Sequence, residues 1–213
     1  MRPEDYKPDL KRIIGGRYAF LIETLESERM KTLSVWSLFA DDDMDVRPGS
    51  DEERGRTPRE HMIHQFVSED GWFKKMLGID IGAAGPPGDE PRLHIIERYA
   101  REAADRYRAI ALEPDDWWEG PTRFFEVERS RAWVVVRRIA HTAHHRGQLT
   151  AMLRAWGRDL HSTFGPTADT GGLPINSAPT IYPYPSIEDL IDGERAGGRK
   201  SPLPGRGSHP STE

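Results

Sequence analysis

Four segments of this chain repeat apolar residues at intervals of three and four, the period that returns side chains to one face of an α-helix. In the first, roughly residues 8–40, Leu21, Leu25, Leu33 and Trp36 share one stripe. "DDDMDVRPGSDEERGR" follows; its charge, Pro and Gly predict a long exposed loop. The second segment opens at "TPREHMIHQF". There Thr57 suits an N-cap, Pro58 the first helical position, and Glu60 the position that closes a capping box. It runs through Trp72, Phe73 and Leu77 to "GIDIGAAGPPGDEP". The third, Arg92 to Leu112, repeats Leu93, Ile96, Ala100, Ala103, Tyr107 and Ile110, and "EPDDWWEGP" ends it. The fourth, roughly residues 129–156, is the most apolar, with Gly157 placed as its C-cap.

Strand-like patterning is scarce. "AWVVVRRIA" is β-branched but continues without a turn into the fourth helical pattern. The expectation is an all-α fold, an antiparallel four-helix bundle over residues 1–164. Residues 165–213 differ in kind, with eight Gly and eight Pro, so regular structure is not expected there. Residues 165–192 keep Ile, Tyr and Leu and are expected as an ordered, extended strap packed on the bundle. Residues 193–213 have little to bury and are expected to be disordered.

Cysteine is absent, which removes disulfides, thiolate catalysis and Cys-type zinc sites. Charged residues make up 31% of the chain with a formal net charge of -5, and the two signs are interspersed as on solvated helix faces. No basic stretch is long enough for a nucleic-acid footprint. No apolar run approaches the roughly 18 residues of a membrane span. The N-terminus "MRPEDYKPDLKR" lacks an apolar signal core. A cytoplasmic protein without nucleic-acid or membrane partners is expected.

Three of the chain's 8 histidines fall in "HTAHHRGQLTAMLRAWG", residues 141–157. At about 100° per residue, His141 and His145 lie about 40° apart and one turn along, the pairing by which two imidazoles reach one ion. His144 lies about 60° to the other side. Gln148 lies about 20° from His141 on the ligand face, and Arg146 about 140° away, a structural or surface-paired position. Ala140, Gly147 and Ala151 form a small-residue row beside His144. A Gly inside a helix costs roughly 1 kcal/mol relative to Ala. Close approach of another helix is the expected compensation, and a homodimer contact is a second use for that row. A third ligand must come from elsewhere, and the second helix offers His61 and His64. Periodicity does not choose between them; His61 reads as a partly exposed polar residue.

"TPREHMIHQFVSEDGW" beside "HTAHHRGQLTAMLRAWG" resembles the DinB/YfiT-like superfamily of metalloenzymes. Its members carry a His, an acidic residue and an aromatic on the second helix, here His64, Glu69 and Trp72. They also carry an H-x-x-H-H-R-G-Q block on the last helix, here His141 to Gln148. The resemblance covers roughly residues 10–160, and the tail "GPTADTGGLP" is similar to that of one subgroup. It implies a four-helix bundle holding a divalent metal ion, zinc or nickel, by His64, His141 and His145, and so selects His64 over His61.

Three imidazoles leave coordination positions open for water or substrate, whereas structural zinc sites are usually closed by four protein ligands. The ion could lower the pKa of water to about 7, or take a thiol as thiolate. Some relatives are metal-dependent transferases of low-molecular-weight thiols. The expectation is therefore a small-molecule enzyme, thiol transferase or hydrolase, with Gln148, His144 and His61 around the ligands. On helical angle Glu69 is expected in a salt bridge rather than on the ion, His144 in a structural contact, and Trp72 and Trp156 in the core. The alternative is a non-catalytic, stress-related metal-binding bundle or dimer.

Overall fold

The computed structural model describes residues 16–49 and 54–204. The described chain is mostly helical. In order it forms α1 (Ala19–Ser37), α2 (Pro58–Trp72), α3 (Arg92–Ile110), α4 (Asp115–Glu119), β1 (Pro121–Phe124), β2 (Val127–Ser130), α5 (Arg131–Ala155) and α6 (Ile187–Arg195). Single 3-10 turns sit at Asp41–Asp43, Ala168–Thr170 and Pro174–Asn176.

α2 begins as its sequence predicts. Thr57 Oγ1 accepts from Glu60 N at 3.2 Å, and Glu60 Oε2 accepts from Thr57 N at 2.9 Å. At its far end the helix loosens into a π turn, Phe73–Leu77, and Gly78 stops it at a φ of 74°. Left-handed backbone of that kind suits only Gly without strain. α1 begins at Ala19, so the expected helix over residues 8–15 lies outside the described residues. The loop after α1 is less exposed than expected, since Asp43 and Met44 are both buried.

Each of α1 and α2 packs against both α3 and α5. Leu21, Leu25, Leu33 and Trp36 of α1 are all buried, as their stripe requires. Trp36 tilts against Tyr99 of α3 with centroids 4.8 Å apart, and Phe66 of α2 lies 6.2 Å from the same ring. Burial of such side chains is the largest favourable contribution to folding, about 1.5–3 kcal/mol each.

Two features depart from the sequence reading. β1 and β2 form an antiparallel hairpin, Pro121 opposite Ser130 and Phe124 opposite Val127, where no strands are expected. Its strands are only four residues long; β1 alternates in exposure and β2 does not. The hairpin packs on the π turn and on the start of α5, whose first turn is capped by Ser130 Oγ accepting from Trp133 N at 3.2 Å.

The second departure is α6, inside the Pro- and Gly-rich stretch where regular structure is not expected. Ser186 caps it, and Ile187, Leu190 and Ile191 make one buried stripe against α3 and α1. Gly193 fits within α6 because a Cβ there would stand 2.4 Å from the Tyr184 ring. That ring's hydroxyl donates to Glu194 at 2.6 Å, and Glu194 also pairs with Arg92 of α3 at 2.7 Å. Residues 196–204 continue without further helix, and the expectation for 205–213 lies outside the described residues. Among the described residues no helix is long and apolar enough to cross a membrane.

Candidate metal centre

α2 and α5 pack side by side and bring His64, His141 and His145 together. Each offers a ring nitrogen, and the three atoms lie within 4.8 Å of one another. The ring centroids stand 5.4 Å (His64 to His141), 4.6 Å (His64 to His145) and 4.5 Å (His141 to His145) apart. His141 Nε2 and His145 Nε2 are 3.2 Å apart. Two imidazole nitrogens 2.0–2.1 Å from one tetrahedral ion would be about 3.3 Å apart. The pair on α5 therefore already has the bite of a single ion, and His64 closes the third side.

Protonation favours the same use. Burial, then the Arg138 guanidinium, then His145 push His141 down to about 3. Burial, then His64 and His61, push His145 down to about 4. His64 is also lowered, first by burial and then by Arg56 and Arg138. At neutral pH all three rings are neutral and keep a lone pair, which a metal ligand requires.

The surroundings hold the two α5 rings differently. Gln148 Oε1 accepts from His145 Nδ1 at 2.9 Å, so the proton sits on Nδ1 and Nε2 is bare. His141 Nδ1 instead accepts from Arg138 Nη1 at 3.2 Å, which places the His141 proton on Nε2, facing His145. An ion bound between the two rings would take the place of that proton. Arg138 Nη1 would then give up His141 and keep its shorter bond, 2.7 Å, to Ser68 Oγ.

Arg138 is fully buried and ties the centre to a charged core. Its Nη2 donates to Gln65 O at 3.2 Å, and its Nε lies 3.6 Å from Glu69 Oε2. Glu69 also accepts from Tyr99 at 2.7 Å and Tyr107 at 3.2 Å, and pairs with Arg106 at 3.4 Å. Glu69 thus pairs with arginines, as its helical angle predicts, and stands behind the ligand cluster. A buried carboxylate is tolerable only when so compensated.

Other sequence expectations fare unevenly. His61 is not partly exposed: it is 5% exposed, its centroid 5.6 Å from that of His145, and burial followed by Arg56 pushes it down to about 4. It sits on the inward stripe His61–Gln65–Glu69, whose four-residue spacing also carries the buried polar residues. A helical angle reports which residues share a face and not how deep that face lies. His144 is exposed, with its centroid 5.1 Å from that of His145. Arg146 is buried and pairs with Glu28 of α1, the structural role its angle suggests. Trp72 is half-buried and walls the site, 5.3 Å from His141 and 5.2 Å from Phe124 of the hairpin, while Trp156 packs 6.0 Å from Phe39. Close helix approach at Gly147 is overturned: no described residue lies within 4 Å of a Cβ placed there, and Ala140, Gly147 and Ala151 are exposed.

Sequence reasoning did not foresee Arg138 or Arg56. Arg138 stands one turn before His141, inside the β-branched stretch "AWVVVRRIA". Arg56 lies just before the α2 cap and helps line a cavity of about 580 Å³ with His61, Gln148 and Met152.

The family model for the DinB family matches residues 18–169, more than half the chain. The chain belongs to the DinB family. No curated protein and no solved structure matches it. For this DinB chain the grouped histidines and the family are together compatible with metal-dependent function.

Proposed function

We propose that this chain is a metal-dependent enzyme in which His64, His141 and His145 hold one divalent ion, zinc or nickel, at the heart of an antiparallel four-helix bundle. The observation that carries the reading is the 3.2 Å separation of the two Nε2 atoms on α5, with a third imidazole from α2 beside them. Neutral imidazoles accept several first-row ions, so the donor set fits either metal. An ion bound by three histidines would act as a Lewis acid toward water or a small thiol at its open positions.

The chain's own residues supply the rest. Gln148 fixes the His145 tautomer. Burial keeps all three rings unprotonated, and Trp72 covers the His141 side. His61 and Gln148 border a cavity large enough for a small organic substrate. The reaction best matched to this arrangement is transfer of a low-molecular-weight thiol, with metal-dependent hydrolysis as the related use of the same site.

The test is metal content. The untagged protein should carry roughly one zinc or nickel per chain, and His145→Ala should lose most of it. Equal metal in both would end the proposal. A loaded protein is then screened with small thiols and electrophilic acceptors, and turnover lost in His145→Ala identifies the reaction.

A further inference from the structure

The cavity beside the histidines carries one charged side chain, the exposed Arg56, whose nearest charge partner among the described residues, Glu60, acts on it only through space. Arg56 makes no hydrogen bond or ion pair among the described residues. Glu60, four residues on, is already taken: Arg47 Nη1 and Nη2 donate to its two oxygens at 3.0 and 2.9 Å, and Thr57 N donates to it as well.

Three further observations give the cavity the character of a binding site. His61 lines it, is almost wholly buried, and has an Nδ1 without a hydrogen-bond partner. Buried polar atoms are rarely left unpaired without a functional reason. Gln148 lines it too, and its other contact is the Nδ1 of the candidate ligand His145, so the wall of the cavity is one hydrogen bond from the metal centre. Pro48, Ala151 and Met152 make the remaining surface apolar. An apolar wall with a few convergent polar groups is how small-molecule sites are generally built.

We infer that this cavity is the substrate subsite of the metal centre, and that Arg56 there pairs with a carboxylate of a small amphipathic substrate. The substrate's donor atom would reach the ion, its hydrocarbon part would lie on Met152 and Pro48, and its acidic group would meet the guanidinium. A guanidinium presents paired N–H groups that match the two oxygens of a carboxylate. Among the residues that line the cavity Arg56 is the one arginine, and no lysine or carboxylate stands beside it there. This inference rests on the metal-centre reading and adds the substrate class to it.

The experiment uses the full chain loaded with cobalt(II), whose thiolate charge-transfer band reports binding at the ion. Mercaptopropionate and mercaptohexanoate are titrated against mercaptoethanol, which lacks the acid. At least one acidic thiol should bind wild type about tenfold more tightly than mercaptoethanol, the factor expected of one charge-assisted bond. Arg56→Gln should abolish that preference while leaving cobalt content and mercaptoethanol affinity unchanged, and Arg56→Lys should retain part of it. Equal affinities in wild type, or a preference that survives Arg56→Gln, overturn the subsite. A chain that takes up cobalt but binds no thiol also overturns the subsite and leaves the metal centre standing. A chain that takes up no cobalt overturns the metal-centre reading, and the subsite with it.

Discussion

Gln148 and Arg138 meet the two α5 histidines with opposite chemistry. An amide oxygen receives the His145 Nδ1 proton, whereas a guanidinium donates to His141 Nδ1. The first contact prepares a ligand, because it leaves Nε2 bare and orients the ring. The second would have to give way to the proposed ion. Gln148 therefore matters more to metal affinity than its exposed position suggests. Partners of metal-bound histidines are typically worth 10–100-fold in affinity. Gln148→Leu should weaken zinc binding by about that factor, while Gln148→Glu, which keeps an acceptor, should not. Competition with a chromophoric chelator measures both. An unchanged affinity in Gln148→Leu would show that the hydrogen bond is incidental to the site.

At the scale of the element, α5 shows both the reach and the limit of periodicity. The angles of His141, His145, Arg146 and Gln148 read correctly from the sequence because they depend only on the helix. What Gly147 faces does not follow from those angles, and no described helix stands opposite it. With open space at that position the Gly only costs backbone entropy. Gly147→Ala should accordingly raise stability by about 0.5–1 kcal/mol, read as a higher midpoint in urea unfolding. A lower midpoint would mean that something packs on that row in solution. The same reasoning explains the other elements. α2 was legible because its start is written in local chemistry, Thr57, Pro58 and Glu60. The hairpin was not, because four residues are too few to make a two-residue period stand out, and β2 does not alternate. α6 was hidden by composition: its stripe of Ile187, Leu190 and Ile191 is one short helix set among Pro and Gly. In the site, His64 was chosen by resemblance to a family rather than by angle, and Arg138 and Arg56 were missed because an arginine, here each near another one, carries no spacing signal of its own.

For the whole molecule, packing α2 against α5 brings several histidines into the interior at once, and this makes stability depend on pH. His61, His141 and His145 are held down to about 4, about 3 and about 4, and His64 and His161 are lowered as well, in every case chiefly by burial. In the unfolded chain the same rings protonate at the ordinary value of about 6.5. As pH falls through that value the unfolded state takes up protons that the native state refuses, so stability is lost. The contribution is complete above about 6.5 and disappears progressively toward the native values. Glu26 and Glu102 act in the opposite sense, because burial raises their carboxyls. They are two groups against five, so the histidines set the sign in mildly acidic solution. Carboxylates lowered by their partners, such as Glu60 and Asp169, matter only further down, near the usual acid range. The metal-free protein should therefore melt at a lower temperature at about pH 5 than at about pH 7.5. Replacing the non-ligand His61 by Gln should flatten that dependence, because one of the reluctant rings is gone. A bound ion stabilises the native state and competes with protons for the same nitrogens. The gap between metal-loaded and metal-free melting curves should then narrow as the solution is acidified. A metal-free melting temperature that stays level across the window would mean that the rings are not held neutral in the fold.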